Sequence, residues 1–157
     1  MKIILFIIIA SILMVSCNTI GIQSIYKSKI TVLEAVKQKE LIDQSDNPAF
    51  KHMILKELKD TLIKIDDVTI KEIKESGNID YNFCIVISVP YTKGEVECYI
   101  YAKDNYLNED IETLSKLTKG KSRIDVIGEF VRFFSLLDET YTKMEIENAK
   151  ITIREDK

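Results

Sequence analysis

The chain has one histidine, three cysteines, five glycines and two prolines in 157 residues, and each scarcity removes a class of protein. So little glycine and proline excludes collagen-like and low-complexity chains. A single histidine, His52, gives Ser-His-Asp or Cys-His triads no second choice of proton shuttle. Its place between Lys51 and Met53, in an expected helix, reads as a solvated position. Zinc wants four Cys or His ligands in structural sites and commonly three in catalytic ones, so no metal and no cofactor are expected. No apolar stretch reaches the ~20 residues that cross a bilayer as a helix, which removes multi-pass membrane proteins. What remains is 46% hydrophobic and 30% charged, able to bury one core and too apolar for disorder.

The longest apolar run lies at the amino terminus. After Lys2 it spans 13 residues, Ile3 to Val15, and ends at Ser16 and Cys17. That length suits the h-region of an export signal, about 7–15 residues. Met14-Val15-Ser16-Cys17, a small residue immediately before a cysteine at the end of the run, resembles the lipobox of bacterial lipoproteins. The resemblance implies cleavage before Cys17, a diacylglyceryl thioether on its sulfur and acylation of the new amino terminus. It also implies an exported, membrane-anchored lipoprotein on an outer-membrane, periplasmic or surface face. Three acyl chains hold a protein effectively permanently, since each buried CH₂ contributes ~0.8 kcal/mol. Loss of Lys2 leaves 21 basic against 25 acidic residues, a charge of −4. Interspersed Lys and Glu on an acidic domain lack the clustered cations that phosphate contacts need, so no nucleic-acid partner is expected.

Residues 1–16 are thus expected to be the signal peptide, 17–29 the lipidated Cys17 and a tether, and 30–157 one globular domain. Thr31-Val32-Leu33-Glu34 fits a capping box and predicts a helix to about Gln44. Asn47-Pro48 repeats the start signal, and Phe50, Met53, Ile54, Leu58 and Leu62 recur at helical spacing. A helical preface over 30–62 follows. From Ile63 the pattern turns to strands: Ile63–Ile73, Tyr81–Val89, Glu95–Ala102, Lys121–Phe134 and Lys143–Ile153. Ser76-Gly77-Asn78 and Pro90–Gly94 supply turns. Between the third and fourth strands, Ile111, Leu114 and Leu117 predict a helix over Asn108–Lys119, closed by Gly120.

Helices followed by β-β-β-α-β-β over 63–153 give an α+β, mainly β chain with the layout of an OB-like barrel. Ile124–Val131 and Met144–Ile151, with the Lys119-Gly120-Lys121 turn and a central Gly128, resemble the last two strands of the tRNA_anti-like (OB-fold) family. A cystatin-like α+β arrangement, a helix packed on an antiparallel sheet, is the alternative.

Strand parity organises the candidate chemistry. Phe83, Ile85, Ile87 and Val89 are expected to face inward, which turns Cys84 outward, whereas Cys98 points in with Val96 and Ile100. Opposite faces cannot be bridged without a bulge, so two free thiols are expected in an oxidising compartment. The acidic clusters Asp66-Asp67, Glu109-Asp110-Glu112 and Asp138-Glu139 sit at expected turns, bends or a helix start, where acids are favoured in any case. The same parity sends Tyr99 and Tyr101 outward beside Val86 and Ser88, on the surface where OB domains hold ligands. No catalytic residue emerges. The expected function is a lipid-anchored, non-enzymatic binding or scaffolding module of the cell envelope, with a protein or oligosaccharide partner. A surface antigen or adhesin contacting host molecules and an envelope hydrolase using carboxylates are the alternatives.

Overall fold

The computed structural model describes residues 27–102, 112, 114–134 and 142–154. Its elements are β1 (Lys29–Thr31), α1 (Val32–Gln44), α2 (Pro48–Lys59), β2 (Leu62–Glu75), β3 (Phe83–Tyr91), β4 (Gly94–Ala102), β5 (Arg123–Phe134) and β6 (Thr142–Arg154). The signal peptide, Cys17 and most of the tether lie outside the described residues. No helix among the described residues is long and apolar enough to cross a membrane.

Both helices start where their caps dictate. Thr31 Oγ1 accepts the Glu34 N–H at 3.2 Å, and the Glu34 carboxylate accepts the Thr31 N–H at 2.7 Å. That backbone bond holds the Glu34 carboxyl below its ordinary range. Asn47 Oδ1 accepts from Ala49 and Phe50 at 3.0 and 3.3 Å, with Pro48 at the first helical position. The buried face of α2 is narrower than the spacing predicts. Ile54 and Leu58, one turn apart, are buried, whereas Met53 points to solvent and Leu62 already belongs to β2. His52 is exposed.

The strands form a closed five-stranded barrel. β2, β3 and β4 make an antiparallel meander, β6 lies parallel to β4, and β5 is antiparallel to both β6 and β2. Closure depends on the length and curvature of β2. Its residues 62–69 pair with β5 and its residues 70–75 with β3, and register shifts at Ile65/Val68 and Ile70/Glu72 bend it between the two. Bulges of this kind let one strand turn a barrel corner. Asp67 takes the left-handed conformation at the first shift, φ 57°. The domain is therefore α+β and mostly strand, consistent with an OB-like barrel. The closed ring and the parallel β4–β6 pair depart from the cystatin-like alternative.

The barrel core is filled by fully buried Ile63, Ile85, Ile87, Ile100, Met144 and Ile146, and the helices add Val32, Ala35, Val36, Ile54 and Leu58 to the same cluster. Phe83 departs from the expected inner row and is 39% exposed, because it opens β3 at the barrel rim. Gly128 is required by close approach: a Cβ there would lie 2.5 Å from Ile146 Cγ2 and 3.0 Å from the Glu147 carbonyl.

Two local features complete the frame. β1, a parallel partner of β2 through Lys29↔Leu62 to Thr31↔Lys64, is a strand too short for periodicity to reveal. Of the expected helix over Asn108–Lys119, residues 108–111 and 113 lie outside the described residues; Glu112, Leu114 and Ser115 are helical, but residues 116–119 are turn or irregular, so the helix stops short of Lys119. Gly120 has φ 72° but lies in a turn five residues past the last helical residue, Ser115, so it does not close that helix; its N–H donates to the Ile70 carbonyl at 2.8 Å.

Candidate functional site

Alternation along β4 separates two environments. Val96, Cys98 and Ile100 enter the barrel core, and Glu97, Tyr99 and Tyr101 stand on the outer side. The partners of that outer row come from distant parts of the chain. Register places Val86 opposite Tyr99, Cys84 opposite Tyr101 and Ser88 opposite Glu97 on β3. On the other flank, β6 brings Lys143 beside Glu97 and Glu145 beside Tyr99. Lys74 of β2, opposite Cys84, and Arg132 and Phe134 of β5 complete the face.

One end of this face is closed. Cys84, Val86 and Tyr101 are 1%, 2% and 9% exposed and form a second small apolar cluster with Tyr81 and Tyr99 packed against it. The Tyr81 ring lies 5.3 Å from that of Tyr101, and the Tyr81 hydroxyl is 3.4 Å from Asn148 Oδ1. Burial raises the Cys84 thiol above its ordinary range and pushes the Tyr101 hydroxyl up to about 12. Burial likewise pushes Cys98 up to about 12. Both thiols are free and buried, Cys98 in the barrel core and Cys84 under the tyrosines. Strand parity placed them on opposite faces, but the outer cover over Cys84 depends on Tyr81, which reaches in from the β2–β3 turn.

The other end centres on Tyr99, which is half-buried. Lys74 Nζ lies 4.6 Å from its ring centroid, and Lys143 Nζ lies 5.2 Å from the centroid and donates to the hydroxyl at 3.0 Å. Phe134 meets the ring edge-on at 5.3 Å. Beneath it, Glu97 accepts from Lys71 and faces Lys143 at 3.4 Å. Burial alone would raise the Glu97 carboxyl, but the hydrogen bond and charge of Lys71, together with Lys143, outweigh it and hold the group below its ordinary value. The bond to Tyr99 raises Lys143. Such cation–π and charge-assisted contacts fix the side chains that make them.

Of the four residues that parity placed on this surface, Val86 and Tyr101 are covered and Tyr99 and Ser88 are partly open. Ser88 Oγ is closed off from solvent and makes no hydrogen bond among the described residues. The charged members Lys71, Lys74, Glu97, Arg132, Lys143 and Glu145 escaped the sequence reading. The matching alternation of Glu97-Tyr99-Tyr101 and Lys143-Glu145-Glu147 is visible in the chain, but only the parallel β4–β6 pairing puts the two rows side by side.

The acidic clusters serve the fold where they are described. Asp67 pairs with Arg123 at 2.6 Å across the β2–β5 seam, and Glu112 pairs with Lys116 one turn away. Glu109, Asp110, Asp138 and Glu139 lie outside the described residues. A separate cleft of about 360 Å³ opens between the start of α1, the β2 bulge and Ser88–Pro90. Its lining joins apolar Val32, Leu33, Val68 and Val89 to the exposed Lys64–Asp66 ion pair, while its unpartnered oxygens, Asp67 Oδ1 and Ser88 Oγ, are sealed from solvent. No group of three or more His, Cys, Asp or Glu among the described residues is placed to hold a metal ion. The sequence matches no family model and no curated protein.

Proposed function

We propose that this chain is a lipid-anchored cell-envelope lipoprotein whose OB-like barrel acts as a non-enzymatic binding or scaffolding module through the outer face of β3, β4 and β6. Support for the OB-like reading comes from the three-strand meander, the return of β6 parallel to β4, and the closing β2–β5 pair. Helical residues Glu112, Leu114 and Ser115 also fall between β4 and β5, where that layout carries its helix. The anchor rests on the Met14–Cys17 junction after a 13-residue apolar run. The observation that carries the binding role is Tyr99, half-open at the surface and held by Lys74, Lys143 and Phe134 over the paired Glu97. A side chain fixed by its neighbours loses little entropy when a partner contacts it.

Two measurements test this. Palmitate labelling of the wild type against Cys17→Ala reads the anchor, and equal labelling would remove it. For the face, a photo-crosslinking residue is placed at Glu72, exposed on β2 opposite Val86, and in a control at Lys56 on α2. Adducts formed in cells from position 72 alone, and lost when Tyr99→Ala is added, support the reading. Identical adducts from both positions, or none from 72, refute it.

A further inference from the structure

The outer face sorts its charges by depth. Its two central carboxylates are sunk, the side chain of Glu97 being 11% exposed and that of Glu145 8%. Their partners stand above them: the Lys71 side chain is 46% exposed and that of Arg132 65%. Lys74 is exposed as well. It lies over the Tyr99 ring and makes no salt bridge among the described residues. An approaching group therefore meets cations first, on a chain whose net charge is −3. Glu72, Glu95 and Glu147 are the other acids on this side, and exposed Glu95 stands at the start of β4, opposite Pro90. Glu72 stands at its β2 rim, and Glu147 is drawn toward the Tyr81 end by Asn78, which donates to it at 2.9 Å.

The aromatic rings are also spoken for. Lys74 and Lys143 occupy Tyr99, and Tyr81 covers Tyr101. A sugar or base that needs an open ring to stack on finds none at either tyrosine. A long polyanion would extend past the patch onto an acidic surface that repels it. We infer that the ligand of this face is a short acidic protein segment, its carboxylates received by Lys74, Lys71 and Arg132, with Tyr99 acting as a post that positions the lysines. This rests on the binding role proposed for the same face.

The test uses the full-length processed protein in detergent and a labelled octaglutamate peptide, with octaglutamine and a sulfated oligosaccharide of equal charge as comparisons. Octaglutamate should bind at low salt, be released at high salt and, when present before irradiation, prevent the adduct at position 72. Lys74→Gln, which removes only a ring contact, should weaken it roughly threefold, whereas Lys74→Arg should preserve it. Adding Arg132→Gln should deepen the loss, with the melting temperature checked because Glu145 then loses its partner. The α2 pair Lys56→Gln, Lys59→Gln should leave binding unchanged. Equal loss from the α2 pair, equal binding of octaglutamine, or preference for the sulfated sugar overturns the acidic-segment assignment. An adduct at 72 that forms equally with octaglutamate present before irradiation refutes the ligand class and leaves the face standing; no adduct at 72 refutes the face itself.

Discussion

The two sides of β4 are hidden from water to different degrees and by different means. On the inner side Val96, Cys98 and Ile100 are sealed by aliphatic neighbours from every strand of the barrel. On the outer side Tyr101 is covered by one tyrosine, and Glu97 by charged partners that reach out from Lys71 and Lys143. Burial by close packing is stable and chemically silent, because apolar walls offer no directional partner. Burial beneath long polar side chains leaves the covering groups at the surface, where they can exchange partners. The comparison thus separates the part of the strand that holds the fold from the part that can recognise something.

The difference can be broken most severely from inside. Ile100→Ala empties a fully buried site and should cost about 2–5 kcal/mol in a denaturant titration, while the outer ring contacts persist in the variant that remains folded. Gly128→Ala should come next, at about 1–3 kcal/mol, because its new Cβ collides with Ile146 and with β6 backbone. A loss no greater than an ordinary surface substitution would mean that β5 and β6 do not approach as closely as described.

On the outer side the expected costs are smaller and the chemical consequences sharper. Tyr81→Ala removes the ring pair over Tyr101, worth about 1 kcal/mol beyond its buried area. It should expose Cys84 to a thiol reagent while Cys98 stays protected. In the wild type neither thiol should react before unfolding, and denaturation should release two thiols if Cys17 is acylated and three if it is not. Equal reactivity of Cys84 and Cys98 in the native state would erase the distinction between the two sides.

The smallest expected effect is electrostatic. Folding holds Glu97 below its ordinary value of 4.5, so the stability this contributes is fully present above that pH and is lost as pH falls through the lower folded value. Melting temperature should therefore decline on acidification below about 4.5, and Glu97→Gln should flatten part of that decline. An unchanged slope would remove Glu97 from the account, leaving Glu34 and Asp125, also held low by their hydrogen bonds, to explain it.

Local signals made much of the architecture legible. The Thr31–Glu34 box and the Asn47 cap start helices where they should, and all five barrel strands fall within a few residues of their apolar alternation. The inward turn of Cys98 and outward turn of Cys84 followed from parity alone. β1 was illegible because three residues carry no period, and the exposure of Met53 because helical spacing gives a face without saying how wide a neighbour will cover it. Parity put Tyr99, Tyr101, Val86 and Ser88 on one outer side and named none of the cations around them. Those cations come from β2, β5 and β6, and nothing near β4 in the chain names them.

What the amino-acid order determined by itself was where both helices start, roughly where the five barrel strands lie and, for most of their residues, which side each takes, because caps, turns and alternation act over a few residues. Which strands become neighbours, and hence that Lys143 rests on Tyr99 and Tyr81 shields Cys84, was decided only by closure of the barrel. Closure joins residues as far apart as Leu62 and Glu129, and such a contact is set by the fit of whole surfaces, with no local preference to announce it.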